Sequence, residues 1–144
     1  MSPSKRLKPV QRIAETREQK AARHMGQARK TLQEEETKLS QLQQYHQEYL
    51  MRFASAAKKG ISAPQLQEYR RFLEKLDETV RQQQAVVAAR QADHATTRDS
   101  WRQKRTRTQA LNKVVDRYRK QELKTADRNE QKESDERSLR ATKG

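Results

Sequence analysis

The chain has 144 residues, 36% of them charged, 31% hydrophobic and only 5% aromatic, and its 33 Lys/Arg against 19 Asp/Glu leave a formal net charge of +14. Without a cysteine there is neither a disulfide frame nor a thiolate metal site, and so little apolar material cannot fill a compact core. Strand-like alternation is absent, no apolar signal segment precedes the first repeat, and no stretch approaches the roughly 20 apolar residues of a membrane span. A protein of the cytoplasm, built from long helices, is expected.

Pro9 suits the first turn of a helix, where its missing N–H is no loss, so residues 1–8 are read as a flexible basic N-terminus and residues 9–58 as the first helix. Along that arm one ladder runs Met25, Leu32, Leu39, His46, Phe53, and another, three residues on, runs Ala28, Glu35, Leu42, Tyr49, Ala56. Apolar side chains alternating at three and four residues form a narrow seam that excludes water only against a matching seam. Gly26 lies inside this arm at a cost of about 1 kcal/mol relative to Ala.

The repeat breaks once, at residues 59–64. Gly60 fits the left-handed position just past a helix end, Ser62 and Gln65 have capping-box spacing, and Pro64 falls in the first turn of the next helix. A turn this short makes the arms antiparallel neighbours. The second helix, residues 65–118, carries ladders Leu66, Leu73, Val80, Val87, His94, Trp101, Thr108, Val115 and Tyr69, Leu76, Gln83, Arg90, Thr97, Lys104, Leu111, Tyr118. Pairing residues whose numbers sum to 122 sets Phe53 against Tyr69, Ala21 against Trp101 and Glu18 against Lys104. Large faces small and acid faces base, as an antiparallel seam requires. Residues 119–144 have no partner left and form an overhanging tail, helical or frayed. The fold class is all-α, two long helices in an antiparallel coiled-coil hairpin.

Charge is segregated. Residues 1–30 hold nine Lys/Arg and two acids, residues 31–97 nine and nine, and residues 98–144 fifteen and eight. Folding the hairpin gathers the two basic segments into a cationic pole able to steer an acidic partner, although a solvated basic surface explains the same excess. Tyr45 and Phe72 each precede a ladder residue and lie on one edge of the pair, half-exposed together. With Leu42, Tyr49 and Leu76 they make an aromatic and aliphatic patch of the kind that anchors partners, or rings that merely thicken a thin core. His24, His46 and His94 are scattered without metal-site spacing, Glu34, Glu35 and Glu36 read as a solvated run, and no phosphate-cradling glycine loop exists. Neither an enzyme nor a cofactor is expected.

These features together resemble the FliJ family of flagellar export proteins over essentially the whole chain. The resemblance rests on Tyr45-His46-Gln47-Glu48-Tyr49, on Gly60-Ile61-Ser62 followed by Gln65 through Leu76, on the lone Trp101 with basic residues after it, and on Arg128 through Lys132 with Asp135 and Glu136. It implies a non-enzymatic component of the type III export apparatus, similar in build to the central stalk of rotary ATPases and recruited to the cytoplasmic face of the inner membrane at the flagellar base. The implied partners are the export ATPase hexamer and its regulator, the cytoplasmic domain of the export gate, and export chaperones. Gate contact is implied for Leu42, Tyr45, Tyr49, Phe72 and Leu76, flanked here by Lys38, Thr79 and Gln83 where relatives often differ. The ATPase-facing end is implied at the termini, and Val10, Ile13, Arg17 and Arg107 are assigned to it by position alone. Two alternatives stand beside this reading, an injectisome stalk homologue and a basic hairpin that binds nucleic acid by phosphate neutralisation. Nucleic acid is not expected, because the rings and the cations are not interleaved as single-strand binding prefers.

Overall fold

In the computed structural model, which describes residues 1–142, the chain forms two helices, α1 (Pro3–Lys59) and α2 (Ala63–Thr142), and the described residues include no strand. The all-α expectation holds. The break between the helices is built from the residues that mark it in the sequence. Gly60 has φ +86°, the left-handed conformation that disfavours any side chain with a Cβ, and its amide donates to the Ala57 carbonyl at 3.3 Å. Ser62 and Gln65 form the reciprocal box: the Gln65 amide donates to Ser62 Oγ at 3.4 Å and the Ser62 amide donates to Gln65 Oε1 at 3.3 Å. With Ser62 as cap, Ala63 and Pro64 already belong to α2, so the turn is shorter than residues 59–64.

The first boundary differs more. α1 starts at Pro3, so the segment expected to be flexible up to residue 8 is helical, and Pro9 lies inside the helix. Pro3 occupies the first helical position and Ser2 the cap, with the Arg6 amide donating to the Ser2 carbonyl at 3.1 Å. Pro9 then withholds the N–H that the Lys5 carbonyl would meet, a defect of about 3 kcal/mol in a helix interior. The turn upstream of it is held from the other helix. Ser4 donates its amide to Glu122 Oε1 at 3.1 Å and its hydroxyl to Glu122 Oε2 at 2.7 Å. A carboxylate at a helix start also meets the positive end of the peptide dipoles. Pairing therefore runs to Glu122, beyond the expected limit at residue 118. The tail after Glu122 is helical to Thr142, and its residues are all exposed.

Contacts divide the chain into two compact units, one of Met1–Ala21 with Ser100–Gly144 and the other of Ala22–Asp99. In the first unit Ser4, Ala14, Ala21, Thr108 and Val115 are buried, with Val115 almost wholly so. In the second, Leu76, Val80 and Val87 are buried. Every ladder residue expected in the first arm, from Met25 to Ala56, is half-buried, and the spacing continues upstream through Ser4, Leu7, Gln11, Ala14, Glu18 and Ala21. The α2 ladders are likewise buried or half-buried except Arg90 and Tyr118. Arg90 is long enough to leave the seam for water and pairs there with Asp93 at 3.2 Å. Phe53 and Tyr69, paired by the sequence register, have ring centroids 5.5 Å apart.

Two pairs of polar seam residues bond across the helices. Gln83 donates to the Glu35 carbonyl at 3.0 Å and also to its carboxylate. Gln11 donates to Asn112 Oδ1 at 2.8 Å, and no buried side-chain donor or acceptor among the described residues lacks a partner. The expected ion pair between Glu18 and Lys104 does not form. Lys104 instead donates to the Ser100 hydroxyl one turn away at 2.9 Å.

Gly26 has no structural need to be glycine. A Cβ built on it meets nothing within 4 Å, and its φ is ordinary for a helix. Gly26→Ala is expected to stabilise the fold by about 1 kcal/mol in urea titrations, because the backbone entropy of glycine is lost without any new clash. No gain would mean that this part of α1 is helical even in the denatured chain.

Candidate functional site

In the unit Ala22–Asp99, five rings from both helices collect before and after the turn. Tyr45 and Tyr49 are one helical turn apart on α1 with centroids at 5.9 Å, and Phe72 on α2 meets both, at 6.2 Å edge-on to Tyr45 and at 4.2 Å to Tyr49. Tyr69 closes the cluster against Tyr49 at 5.8 Å and Phe53 at 5.5 Å. Edge-to-face and tilted contacts at these separations are favourable beyond the area they bury. The cluster grades from seam to solvent. Tyr49, Tyr69 and Phe53 are half-buried, whereas Tyr45 keeps 43% and Phe72 37% of its surface exposed, so two neighbouring aromatic residues remain accessible.

The five residues of the expected patch thus split by burial. Leu42 and Tyr49 are half-buried and Leu76 is only 7% exposed, which leaves Tyr45 and Phe72 as the accessible part of the patch. Glu35, on the same unit, is held below the usual carboxylate range, chiefly by the hydrogen bond from Gln83 and further by the Lys38 charge.

In the unit Met1–Ala21 with Ser100–Gly144, a cleft of about 250 Å³ is lined by Val10, Ile13, Ala14, Arg17, Lys104, Arg107 and Leu111. Val10, Ile13, Arg17 and Arg107, which the sequence could assign only by position, line one surface. Three cleft residues that sequence reasoning did not single out, Ala14, Lys104 and Leu111, are ladder-spaced, so their seam role concealed their part in the wall. This unit carries twenty Lys/Arg against nine acids, and none of the Lys/Arg in residues 1–21 and 100–120 makes an ion pair among the described residues. Trp101 is half-buried, with the Arg105 guanidinium 5.2 Å from its ring centre.

Residues 3–143 match the family model described as "Flagellar FliJ protein". The chain belongs to the flagellar FliJ family. Two curated relatives, both named "Flagellar FliJ protein", agree in length: that of Escherichia coli (strain K12) is 31% identical over 137 residues, and that of Salmonella typhi 28% identical over 135, each alignment covering 94% of this chain and 92% of the relative. No solved structure matches it. Neither described helix is long and apolar enough to cross a membrane, and no three His, Cys, Asp or Glu among the described residues are grouped to hold a metal. His46 and His94 sit half-buried in the seam, and His24 is exposed.

For a member of the FliJ family, the two surfaces differ in what they can bind. Half-exposed rings beside buried aliphatic residues suit an apolar segment that is buried on contact. An apolar cleft rimmed by free cations suits a segment that is both apolar and acidic.

The bond between the helices at Ser4 and Glu122 gives the unit of Met1–Ala21 with Ser100–Gly144 a pH response. Glu122 is held below its usual value, first by the Ser4 hydroxyl and then by the Ser4 amide. A carboxylate depressed in the folded state contributes stability above its unfolded value, and that contribution fades as pH falls through the folded one. In an NMR titration the Ser4 amide shift is expected to move with a midpoint below the usual glutamate range. Glu122→Gln should abolish the movement; an unchanged titration would assign it to another carboxylate.

Proposed function

We propose that this chain is a non-enzymatic component of the flagellar type III protein export apparatus, a stalk that promotes assembly and activity of the export ATPase and couples it to the membrane export gate. Family membership supports the flagellar setting. The observation that carries the finer reading is the pair of unlike surfaces on one chain, an aromatic edge and a cationic apolar cleft. Leu42, Tyr45, Tyr49, Phe72 and Leu76 are proposed to serve the gate's cytoplasmic domain, and Val10, Ile13, Arg17 and Arg107 the ATPase.

Such a protein acts by position. Occupying an ATPase hexamer asymmetrically, it biases which subunit closes on nucleotide, while its contact with the gate alters the gate's state; a ligand shifts such an equilibrium only through differential affinity for the two states. Export chaperones and the ATPase regulator complete the proposed partner set, and the proposed location is the cytoplasmic face of the inner membrane.

The test is a pull-down of purified export ATPase and gate cytoplasmic domain by this protein, with ATP turnover read in the same mixture. Both should bind and turnover should rise. Retention of nucleic acid with a steep salt dependence, and of neither protein, would instead favour the phosphate-binding reading of the unpaired cations.

A further inference from the structure

We infer that the cleft between the two helices of the basic unit receives one amphipathic helix of its partner, inserting a branched aliphatic side chain between carboxylates. This deepens the proposed ATPase contact and rests on that reading. Size comes first. About 150 Å³ accommodates a benzene ring, and small-molecule sites run to roughly 300–1,000 Å³, so a cleft of about 250 Å³ has room for one or two aliphatic side chains and not for a nucleotide.

Chemistry narrows the occupant further. Val10 is 41% and Ile13 53% exposed, a concentration of apolar surface left in water on a chain whose mean hydropathy is −1.36. Beside them stand Arg17, Lys104 and Arg107, none in an ion pair among the described residues. A guanidinium without a carboxylate is free to take one from outside in a bidentate pair. A nucleic acid would use the cations but not the aliphatic wall, and the cleft holds no ring on which a base could stack. A lipid surface would meet apolar groups that project outward, whereas these line a concavity. A groove between two antiparallel helices accepts a third helix, whose anchors recur every three or four residues and so alternate an aliphatic tooth with acidic neighbours.

The chain has no cysteine, which makes a single-site probe clean. Ile13→Cys labelled with a solvatochromic dye should shift to the blue when purified export ATPase is added, while the same label at Lys124→Cys, on the exposed tail, should not. In binding titrations Ile13→Asp is expected to lose at least tenfold in affinity, as is Arg17→Ala combined with Arg107→Ala. Lys113→Ala combined with Lys120→Ala removes the same charge from the same unit outside the cleft and should change affinity less than twofold, with helix content by circular dichroism unchanged throughout. If both double variants lose affinity equally, the contact is diffuse electrostatics and the cleft proposal fails. If the cleft variants bind the ATPase as the parent does, the cleft proposal fails while the ATPase reading stands; if the parent itself does not bind, both fail.

Discussion

Truncating Tyr45 and Phe72 together to alanine is expected to weaken the proposed binding to the gate's cytoplasmic domain about a hundredfold while the protein stays helical. Each residue is more than half covered yet remains partly accessible, which is the setting in which a single aromatic truncation costs about 2 kcal/mol or more at an interface. Their centroids are 6.2 Å apart, so the two losses overlap and fall short of their sum. About 2.7 kcal/mol corresponds to a hundredfold. Tyr49, Tyr69 and Phe53 remain in contact with one another and keep the seam closed, so calorimetric binding and thermal melting should separate the effects. A change under threefold would show that the outer rings only shield the seam.

The single chains of contact that make this edge were legible because they are local. Period, turn chemistry and register each follow from side chains a few residues apart, and Gly60, the box at Ser62 and Gln65, and the pairing of Phe53 with Tyr69 all came from such spacing. The features that were missed depend on what a long side chain does once the register is set. Nothing in the spacing tells that Lys104 takes Ser100 rather than Glu18, that Arg90 leaves the seam, or that Gln83 caps a carbonyl on the other helix. The start of α1 was missed for a related reason. Pro9 is a strong local start signal, and only the carboxylate of Glu122, 118 residues away from Ser4, reveals why the turn upstream of it holds. The cleft was hidden more deeply, since Ala14, Lys104 and Leu111 carry seam spacing and only their arrangement around Val10 and Ile13 shows a concavity.

Burial also separates two kinds of residue within the proposed gate surface, and Leu76 tests the separation. Leu76→Ala is expected to cost about 2–3 kcal/mol of stability, toward the lower end for buried leucine because a seam two helices thick can partly collapse into the gap. For a chain of this length that is a fall in melting temperature of roughly 10 °C. Its effect on gate affinity, measured well below the transition, should be smaller than that of the Tyr45 and Phe72 pair, because at 7% exposure Leu76 offers a partner almost no surface. One helical turn from Phe72 on α2, it is expected to influence the gate contact by positioning rather than by touching the partner. The converse result, an intact melting curve with gate binding lost, would place Leu76 in the interface itself and require the helices to part there when the gate binds. Leu76→Met, which keeps most of the volume, distinguishes the two: a positioning role is largely restored by it.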